Sequence, residues 1–326
     1  MCPAALPRVL AMINGQKWFR LLMPGVILAT ISPHATADTR TQQGTELVWV
    51  VKSNRATVAV IDPAINKVID VVEPRGGVTG DDIAISDGAV WVSYWFGLVH
   101  RIDARTRRVV ATVQTDRDNR GIAAHGGTVW VANSDHSEVT RIDRATNRIA
   151  GRVETAWTVR AVAASQGMVW VATDEGRVLR FASASPRVAD TIRTDGAPNA
   201  LAAQGDEVWA SDLMFGRVLR IGAGGGVLPI DVGVTNMEGP GLAVGFGAVW
   251  VATGGNNTIV RIDAATNRVL EAIDVGGWAE DVAVGAGAVW VALPEDAEVL
   301  RIDPGTNRVT ARIRVEGFPN AIAVGR

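Results

Sequence analysis

The sequence predicts an all-β fold: a seven-bladed β-propeller with four antiparallel strands in each blade. The tripeptide Val-Trp-Val, or a close variant of it, recurs seven times at intervals of 39 to 42 residues. A fixed period near 40 residues indicates one supersecondary unit that is stacked repeatedly. Each unit also contains four short apolar runs, and the two ends of the chain complement each other. The repeated tryptophans are Trp49, Trp91, Trp130, Trp170, Trp209, Trp250 and Trp290.

The sixth unit shows the four predicted strands. They cover residues 241–244, 248–252, 259–263 and 269–275, with Gly-Phe-Gly between the first two. These runs are short and β-branched, are separated by Gly, Asn and Asp, and show no helical period. Four strands in about 40 residues are typical of a propeller blade. Because successive side chains of a strand point to opposite faces, we expect the recurring tryptophan to pack against a neighbouring blade.

Two other recurring elements have structural explanations. Residues 62–67, 143–148, 263–268 and 303–308 resemble one another as Asp-x-x-x-Asn-Arg/Lys loops, which predicts tight hairpins. An arginine stands two places before the Asp position in six units, and we expect it to form hydrogen bonds between blades rather than a basic binding stripe. These arginines are Arg101, Arg141, Arg180, Arg220, Arg261 and Arg301.

The two ends of the chain predict how the ring closes. Residues 319–325 read as a first strand with no second strand after it, whereas the repeat region begins at residues 47–50 with a second strand. Pairing the terminal strands completes one blade and leaves no open edge. Residues 38–326 are therefore expected to form a single propeller domain.

The first 37 residues lie outside the repeat and predict a cleaved signal peptide. Lys17 and Arg20 precede an apolar run over residues 21–31, and Ala35 and Ala37 follow it. This pattern is typical of a secretory signal cut before Asp38, with an uncleaved anchor as the alternative. An apolar run of this length is too short to span a bilayer. We therefore expect export, with no stable membrane insertion after cleavage.

Composition narrows the classes of partner. Residues 38–326 carry 29 basic and 34 acidic side chains, a balance that argues against nucleic acid or an anionic membrane as partner. The one cysteine, Cys2, lies in the predicted signal, so the remaining chain can form neither a disulfide nor a thiolate metal site. A monomer is expected.

The motifs also resemble a known group of repeats. Val-Trp-Val-Ala, Arg-Ile-Asp-x-x-Thr-Asn-Arg-Val and Pro-Asn-Ala-Ile-Ala-Val resemble the bacterial YVTN-type propeller repeats. These are similar in turn to the NHL repeats and to the streptogramin (virginiamycin B) lyase superfamily. The resemblance covers about residues 45–326. It implies the propeller fold and a periplasmic or secreted bacterial protein, but such propellers include both binding proteins and enzymes.

Residues that break the repeat are the better functional candidates, because a binding site is needed only once. The segments that enter each blade differ in charge: acidic residues flank the blade of Asn320, and two arginines enter blades on the opposite side. Such a channel mouth suits a zwitterionic or polyhydroxylated ligand, or a divalent cation such as Mg²⁺ or Ca²⁺ held by Glu280 and Asp281. The predicted ligand-binding residues are Asp81, Asp82, Arg120, Arg160, Asn199 and Asn320. The segment 239–240 enters the remaining blade.

Unrepeated aromatic residues lie in loops on the same face. Trp95, Trp157 and Trp278 are candidate ligand-binding residues because aromatic rings beside polar groups suit the recognition of sugars or peptides. The alternative interpretation is that these rings anchor the loops under the rim. Tyr94, Phe96, Phe215 and Phe318 stand in or beside the same loops.

The sequence shows little catalytic chemistry. Of the histidines after the predicted signal, His136 alone is expected on the channel-mouth face. The resemblance to streptogramin lyases implies a histidine and a metal-held carboxylate, for which His136 with Glu280 or Asp281 is the candidate set. The leading hypothesis is a non-enzymatic exported protein that binds a small polar ligand, a glycan or a peptide. The alternative is a metal-dependent lyase or hydrolase.

Overall fold

The computed structural model describes residues 45–76, 79–234, 237 and 241–326, together with two paired two-residue strands, β1 (Met12–Ile13) and β2 (Gln16–Lys17). The predicted signal peptide 1–37 otherwise lies outside the described residues, and its cleavage before Asp38 stays a prediction. The chain divides into two compact units, Met1–Gln43 and Gly44–Arg326. None of the described residues forms a helix long and apolar enough to cross a bilayer.

The described residues of the second unit form seven four-stranded antiparallel sheets, which confirms the predicted fold class. Blade 1 contains β30, β3, β4 and β5, and blades 2 to 7 follow in chain order as β6–β9, β10–β13, β14–β17, β18–β21, β22–β25 and β26–β29. The strands are β3 (Leu47–Lys52), β4 (Thr57–Asp62), β5 (Lys67–Val72), β6 (Gly80–Ser86), β7 (Ala89–Tyr94), β8 (Leu98–Asp103), β9 (Arg108–Gln114), β10 (Asn119–His125), β11 (Thr128–Asn133), β12 (Glu138–Asp143), β13 (Arg148–Glu154), β14 (Val159–Ser165), β15 (Met168–Thr173), β16 (Arg177–Ala182), β17 (Ser185–Arg193), β18 (Pro198–Gln204), β19 (Glu207–Asp212), β20 (Arg217–Ile221), β21 (Val227–Asp231), β22 (Leu242–Gly245), β23 (Ala248–Ala252), β24 (Thr258–Asp263), β25 (Val269–Asp274), β26 (Asp281–Gly285), β27 (Ala288–Leu293), β28 (Glu298–Asp303), β29 (Arg308–Arg314) and β30 (Pro319–Gly325).

Ring closure occurs as the terminal sequences predict. The C-terminal strand β30 pairs antiparallel with β3, and Trp49 lies opposite Ala323. Blade 1 is therefore built from both ends of the chain, and backbone hydrogen bonds within this blade join the N-terminal and C-terminal parts of the propeller. This pairing satisfies strand edges that would otherwise be open.

The recurring tryptophans pack between blades, as predicted. Six of the seven are fully buried, and Trp209 is 2% exposed. Trp250 of blade 6, for example, belongs to one apolar cluster with Val291 and Leu300 of blade 7. A fully buried aromatic side chain of this size contributes heavily to core energetics. The repeat therefore encodes the interfaces between blades.

The recurring arginines also join neighbouring blades. Arg301 Nη1 donates to the carbonyl of Pro63 at 2.9 Å and to Asn66 Oδ1 at 3.0 Å, both in the hairpin of blade 1. Asn66 is held at a positive φ of 52°, a conformation that asparagine tolerates better than most residues. The predicted inter-blade hydrogen bonds are thus confirmed for five of the six arginines, including Arg180, which donates to the carbonyl of Ala223; among the described residues Arg141 makes none. Equivalent bonds are made by Arg101, Arg220 and Arg261.

Candidate ligand-binding site at the channel mouth

The inner strands of the blades, with the residues directly before them, place three successive residues around the central channel in blades 1 to 5 and 7, and two described residues in blade 6. We call these levels the mouth ring, the second ring and the third ring, counted from the face that carries the interblade entry loops. The mouth ring contains Asn320, Asp81, Arg120, Arg160, Asn199 and Glu280 in blades 1 to 5 and 7. The second ring contains Ala321, Asp82, Gly121, Ala161, Ala200, Gly241 and Asp281 in blades 1 to 7. The third ring contains Ile322, Ile83, Ile122, Val162, Leu201, Leu242 and Val282.

These three rings line one cavity of about 400 Å³. Every ring member named above except Gly121 lies in the cavity wall. All eight polar residues that the sequence assigned to the channel mouth, including the metal candidates Glu280 and Asp281, lie in its wall. They meet because each lies at, or directly before, the start of an inner strand, and these strands surround the channel. The seventh position of the mouth ring, in the segment 239–240, lies outside the described residues.

The acidic side of the cavity is built by blades 7 and 2 on either side of blade 1. Asp281 accepts hydrogen bonds from the amides of Val282 and Ile322, each at 2.8 Å. Asp82 makes the same pair of bonds to Ile83 at 2.7 Å and Ile122 at 2.9 Å. Each aspartate therefore bridges its own strand and the inner strand of the next blade. We call Asp81, Asp82, Glu280 and Asp281 the acidic arc.

Asn320 lies between the two halves of the acidic arc. Its Nδ2 donates to the backbone carbonyls of Gly80 and Asp81, each at 3.1 Å. Its Oδ1 is buried and accepts no hydrogen bond from the described residues. The amide orientation leaves an acceptor without a protein donor beside four carboxyl groups.

The carboxyl groups of the acidic arc hold protons more tightly than usual. Protein surrounds each of them on most sides, although they keep some contact with channel water. Burial, reinforced by neighbouring Asp82, raises the pKa of Asp81 to about 8. Burial raises the pKa of Asp82 to about 6 against the lowering effect of its two amide donors. Burial also raises the pKa of Asp281 well above its ordinary value and that of Glu280 to a smaller extent. A cation placed here would favour the ionised carboxylates.

The opposite side of the cavity carries the two arginines of the mouth ring. Arg120 Nε lies 2.7 Å from Asp118 Oδ1, and its guanidinium lies 4.0 Å from the centre of the Trp95 ring. Arg160 Nε forms an ion pair with Asp174. A guanidinium has five N–H donors, so each arginine keeps donors for a bound anion. We call Arg120 and Arg160 the basic arc.

The predicted aromatic residues fall into different environments. Trp95 stacks on Arg120, and Trp278 Nε1 donates to Glu280 Oε2 at 2.6 Å, so both contact residues of the cavity wall without lining it. Trp157 packs partly against the core between blades 3 and 4 and beneath Arg177. Tyr94 is fully buried, whereas Phe96, Phe215 and Phe318 are exposed.

The candidate catalytic histidine does not join this cavity. His136 is exposed in the loop between β11 and β12 and is absent from the cavity wall, so it is not brought together with Glu280 or Asp281. His100 is buried, with Nδ1 at 2.9 Å from Thr112 Oγ1. Within the described part of the chain, no three His, Cys, Asp or Glu side chains are grouped as a metal site.

Sequence reasoning missed a buried polar network beneath Arg120. Asn119 Nδ2 donates to the carbonyl of Tyr94 at 3.1 Å, and Asn133 Nδ2 donates to Asn119 Oδ1. Thr140 Oγ1 donates to Asn133 Oδ1 at 2.5 Å. Satisfied buried networks rigidify their surroundings, and this one anchors the start of the strand that carries Arg120. The signal in the sequence was Asn133, a polar residue at the end of the second strand of blade 3, where the equivalent residue of blade 7 is the apolar Leu293.

Comparison with known proteins places the chain by fold. No protein-family profile matches it, and no characterised protein matches it by sequence. Virginiamycin B lyase from Staphylococcus aureus is similar in structure, with a TM-score of 0.65 at 14% identity over 74% of this chain and 87% of the lyase. Apo AztD from Citrobacter koseri has a TM-score of 0.61 at 12% identity over 86% and 98% of the two chains. Hydrazine synthase from Kuenenia stuttgartiensis has a TM-score of 0.62 at 16% identity over 81% and 91%.

The likeness is one of fold. The predicted structural resemblance to the virginiamycin B lyase propellers is confirmed at that level. Identities of 16% or less carry no activity from these proteins to this chain.

Proposed function

We propose that this protein is a non-enzymatic, exported binding protein whose channel mouth takes a small ligand with one positive and one negative group. The observation that supports the proposal is the charge division of a single cavity: the acidic arc occupies one side and the basic arc the other. The scaffold around it repeats from blade to blade, whereas these residues do not. A charge pattern that the fold does not require is best explained by a ligand.

The dimensions and the wall favour a zwitterion over a glycan. A volume of about 400 Å³ lies within the ordinary range of small-molecule sites. Recognition of a sugar by stacking needs an aromatic face in the wall, but Trp95, Trp157 and Trp278 do not line the cavity. A ligand ammonium would stabilise the ionised form of the acidic arc, and a ligand carboxylate would meet the basic arc. Amino acids and short peptides have this chemistry.

Export is supported by the N-terminal sequence. A basic start, an apolar run over residues 21–31 and the small residues Ala35 and Ala37 are typical of a secretory signal. A periplasmic or secreted bacterial protein would meet amino acids and peptides outside the cytoplasm. N-terminal sequencing of the protein purified from the periplasm or the medium tests this, with Asp38 as the expected first residue.

A metal-dependent lyase remains the alternative prediction, but no observation favours it. His136 lies away from the cavity wall, and the described residues hold no preformed cluster of metal ligands. Calorimetric titration with Mg²⁺ and Ca²⁺ addresses the alternative directly. Stoichiometric binding that is lost on Glu280→Gln would favour the enzyme.

Calorimetric titration with zwitterions tests the binding proposal. The ligands are amino acids and dipeptides, each compared with the amine and the carboxylate that carry only one of its two charges. We expect the zwitterions to bind about tenfold or more tightly than either analogue, since a charged hydrogen bond contributes about 1.5–3 kcal/mol. Glu280→Gln and Arg160→Gln should each weaken binding, whereas Glu154→Gln on an exposed strand should not. If neither cavity variant weakens binding, or if no zwitterion binds, the proposal is wrong.

A further inference from the structure

The third-ring backbone amides of four blades donate hydrogen bonds to aspartate carboxylates of the second ring. In blades 3 and 1 the amides of Ile122 and Ile322 donate to carboxylate oxygens of the preceding blade, Asp82 and Asp281. In blades 2 and 7 the third-ring amides donate to the same two aspartates. Four third-ring amides are therefore capped by two carboxylates, and each carboxylate bridges two neighbouring strands at 2.7–2.9 Å.

The amides of Val162, Leu201 and Leu242 occupy the same ring in blades 4, 5 and 6. Each of these residues lies opposite the residue that follows the repeated tryptophan, as Ile122 and Ile322 do. In an antiparallel ladder, identical register gives identical amide direction, so these three N–H groups face the channel. Among the described residues, no side chain accepts a hydrogen bond from them.

The missing acceptors follow from the second ring. Blades 3 to 6 carry Gly121, Ala161, Ala200 and Gly241 at the position that Asp82 and Asp281 occupy elsewhere. Neither glycine nor alanine offers a side-chain acceptor, so three adjacent donors face the cavity. A bound group that supplies two oxygens would cap two of these three amides, as each aspartate caps two amides in the other blades.

Blade 4 reproduces the surroundings of Asp281 almost fully. Asp281 stands between a glycine and an alanine of the neighbouring blades, Gly241 and Ala321. Ala161 likewise stands between Gly121 and Ala200. The glycine matters because a Cβ at position 121 would lie only 3.2 Å from the Cα of Ala161. Without that Cβ the two inner strands can lie close together. A carboxylate beside Ala161 would thus have the amides of Val162 and Leu201 as neighbours, in the positions that Val282 and Ile322 hold beside Asp281.

Charge also favours an anion on this side of the channel. Arg120 and Arg160 stand in the mouth ring of blades 3 and 4, and Asn199 stands above blade 5. The carboxyl groups of the acidic arc belong to blades 7 and 2. An anion near blades 4 and 5 therefore meets donors and positive charge. Near blade 6 it also approaches Asp281, whose carboxylate lies against Gly241, and near blade 1 it would meet four carboxyl groups.

We propose that the third-ring amides of blades 4, 5 and 6 bind the carboxylate of the ligand, which bridges two of them as Asp82 and Asp281 bridge the amides of the other blades. This carboxylate subsite rests on the proposed function, because it assigns a place to the negative group of the zwitterion. The positive group then points across the channel to the acidic arc. The ligand class is narrowed to molecules with a free carboxylate.

Acetate is a suitable probe because it is a carboxylate with nothing else attached. The experiment follows the amide resonances of the perdeuterated, ¹⁵N-labelled full chain during titration with sodium acetate, with sodium chloride as the ionic-strength control. We expect saturable shifts of Val162, Leu201 and Leu242. The amides of Ile122 and Ile322 serve as internal controls and should not follow the same curve, because Asp82 and Asp281 already occupy them.

Ala161→Asp supplies the missing carboxylate from the protein itself. Its side chain should occupy the amides of Val162 and Leu201 and weaken acetate binding about tenfold or more, the effect expected for losing charged hydrogen bonds. Ala272→Asp on an exposed strand adds the same charge elsewhere and should leave the affinity unchanged. If Ala161→Asp does not fold, Ala200→Asp makes the same test for Leu201 and Leu242.

Three results would overturn the carboxylate subsite: no response of the three amides, an equal response of the control amides, or unchanged acetate affinity in the aspartate variant. Saturation by sulfate but not by acetate would also reject a carboxylate. Failure of the subsite can be distinguished from failure of the proposed function. If zwitterions bind and depend on Glu280 while the three amides stay unmoved, the binding proposal survives and the subsite does not.

Discussion

Replacing Asp81 by asparagine should stabilise the propeller, and the gain should grow with pH. Burial and the adjacent Asp82 raise the pKa of Asp81 to about 8, and Arg120 offsets only part of this effect. No hydrogen bond to the Asp81 carboxylate is made by the described residues. The folded protein therefore holds this proton more tightly than the unfolded chain does. Asparagine keeps the shape of the side chain without the charge.

The sign follows from proton linkage. Because the pKa is raised in the folded state, stability is lost as the pH rises from the ordinary value of 3.8 towards about 8, and the loss is complete above that. At about 1.4 kcal/mol for each tenfold change in the ionisation constant, the full shift corresponds to at most about 6 kcal/mol. Channel water screens the charge, so we expect a gain of about 2–3 kcal/mol for Asp81→Asn at pH 9 and almost none at pH 4.

Urea unfolding followed by tryptophan fluorescence between pH 4 and pH 9 measures this difference, provided that the slope with urea is the same for both proteins. Asp135→Asn, in an exposed loop, is the matched control and should show no such pH dependence. Parallel curves for the wild type and Asp81→Asn, or a variant that is less stable at pH 8, would refute the reasoning. The stabilised variant should also bind zwitterions more weakly, because it lacks a carboxylate of the acidic arc. Functional sites often contain groups that lower stability but are needed for binding.

Two further substitutions test the scaffold and the site. Arg301→Gln removes two hydrogen bonds between blades 7 and 1 and should lower the free energy of unfolding by about 1–3 kcal/mol in urea titrations. Arg308→Gln on an exposed strand should cost far less, and equal losses would contradict the role assigned to Arg301. Trp278→Phe removes the donor to Glu280 and should raise the pKa of that carboxyl further, which ¹³C NMR titration of the side chain measures. An unchanged or lowered pKa would show that the hydrogen bond does not hold Glu280 ionised.

Much of the fold can be predicted from the sequence because the interfaces between blades repeat around the propeller. Each blade must present the same surfaces to its neighbours, so the buried tryptophan and the arginine that reaches the next hairpin recur at a fixed period. The unmatched strands at the two ends then determine the ring closure. Repetition also exposes the candidate site: Asp81, Arg120 and Glu280 stand at equivalent positions with different charges.

The roles of individual side chains were harder to predict. Trp95 and Trp157 look alike in the sequence, yet one stacks on Arg120 and the other packs partly against the core. His136 stands in a loop on the expected face but lies outside the cavity wall. Loop conformation decides these outcomes, and no periodic constraint acts on a loop.

The sequence by itself determined the number of blades, their order, the closure of the ring and the charged positions around its mouth. Each of these depends on local strand pattern and on a period that can be counted. Only the tertiary structure decided which groups face one another across the channel. Asp281 bonds to Ile322, 41 residues further along the chain, and the uncapped amides of Val162, Leu201 and Leu242 are backbone groups that no residue type announces. Their availability depends on what the neighbouring strand lacks, and that is a property of the assembled ring.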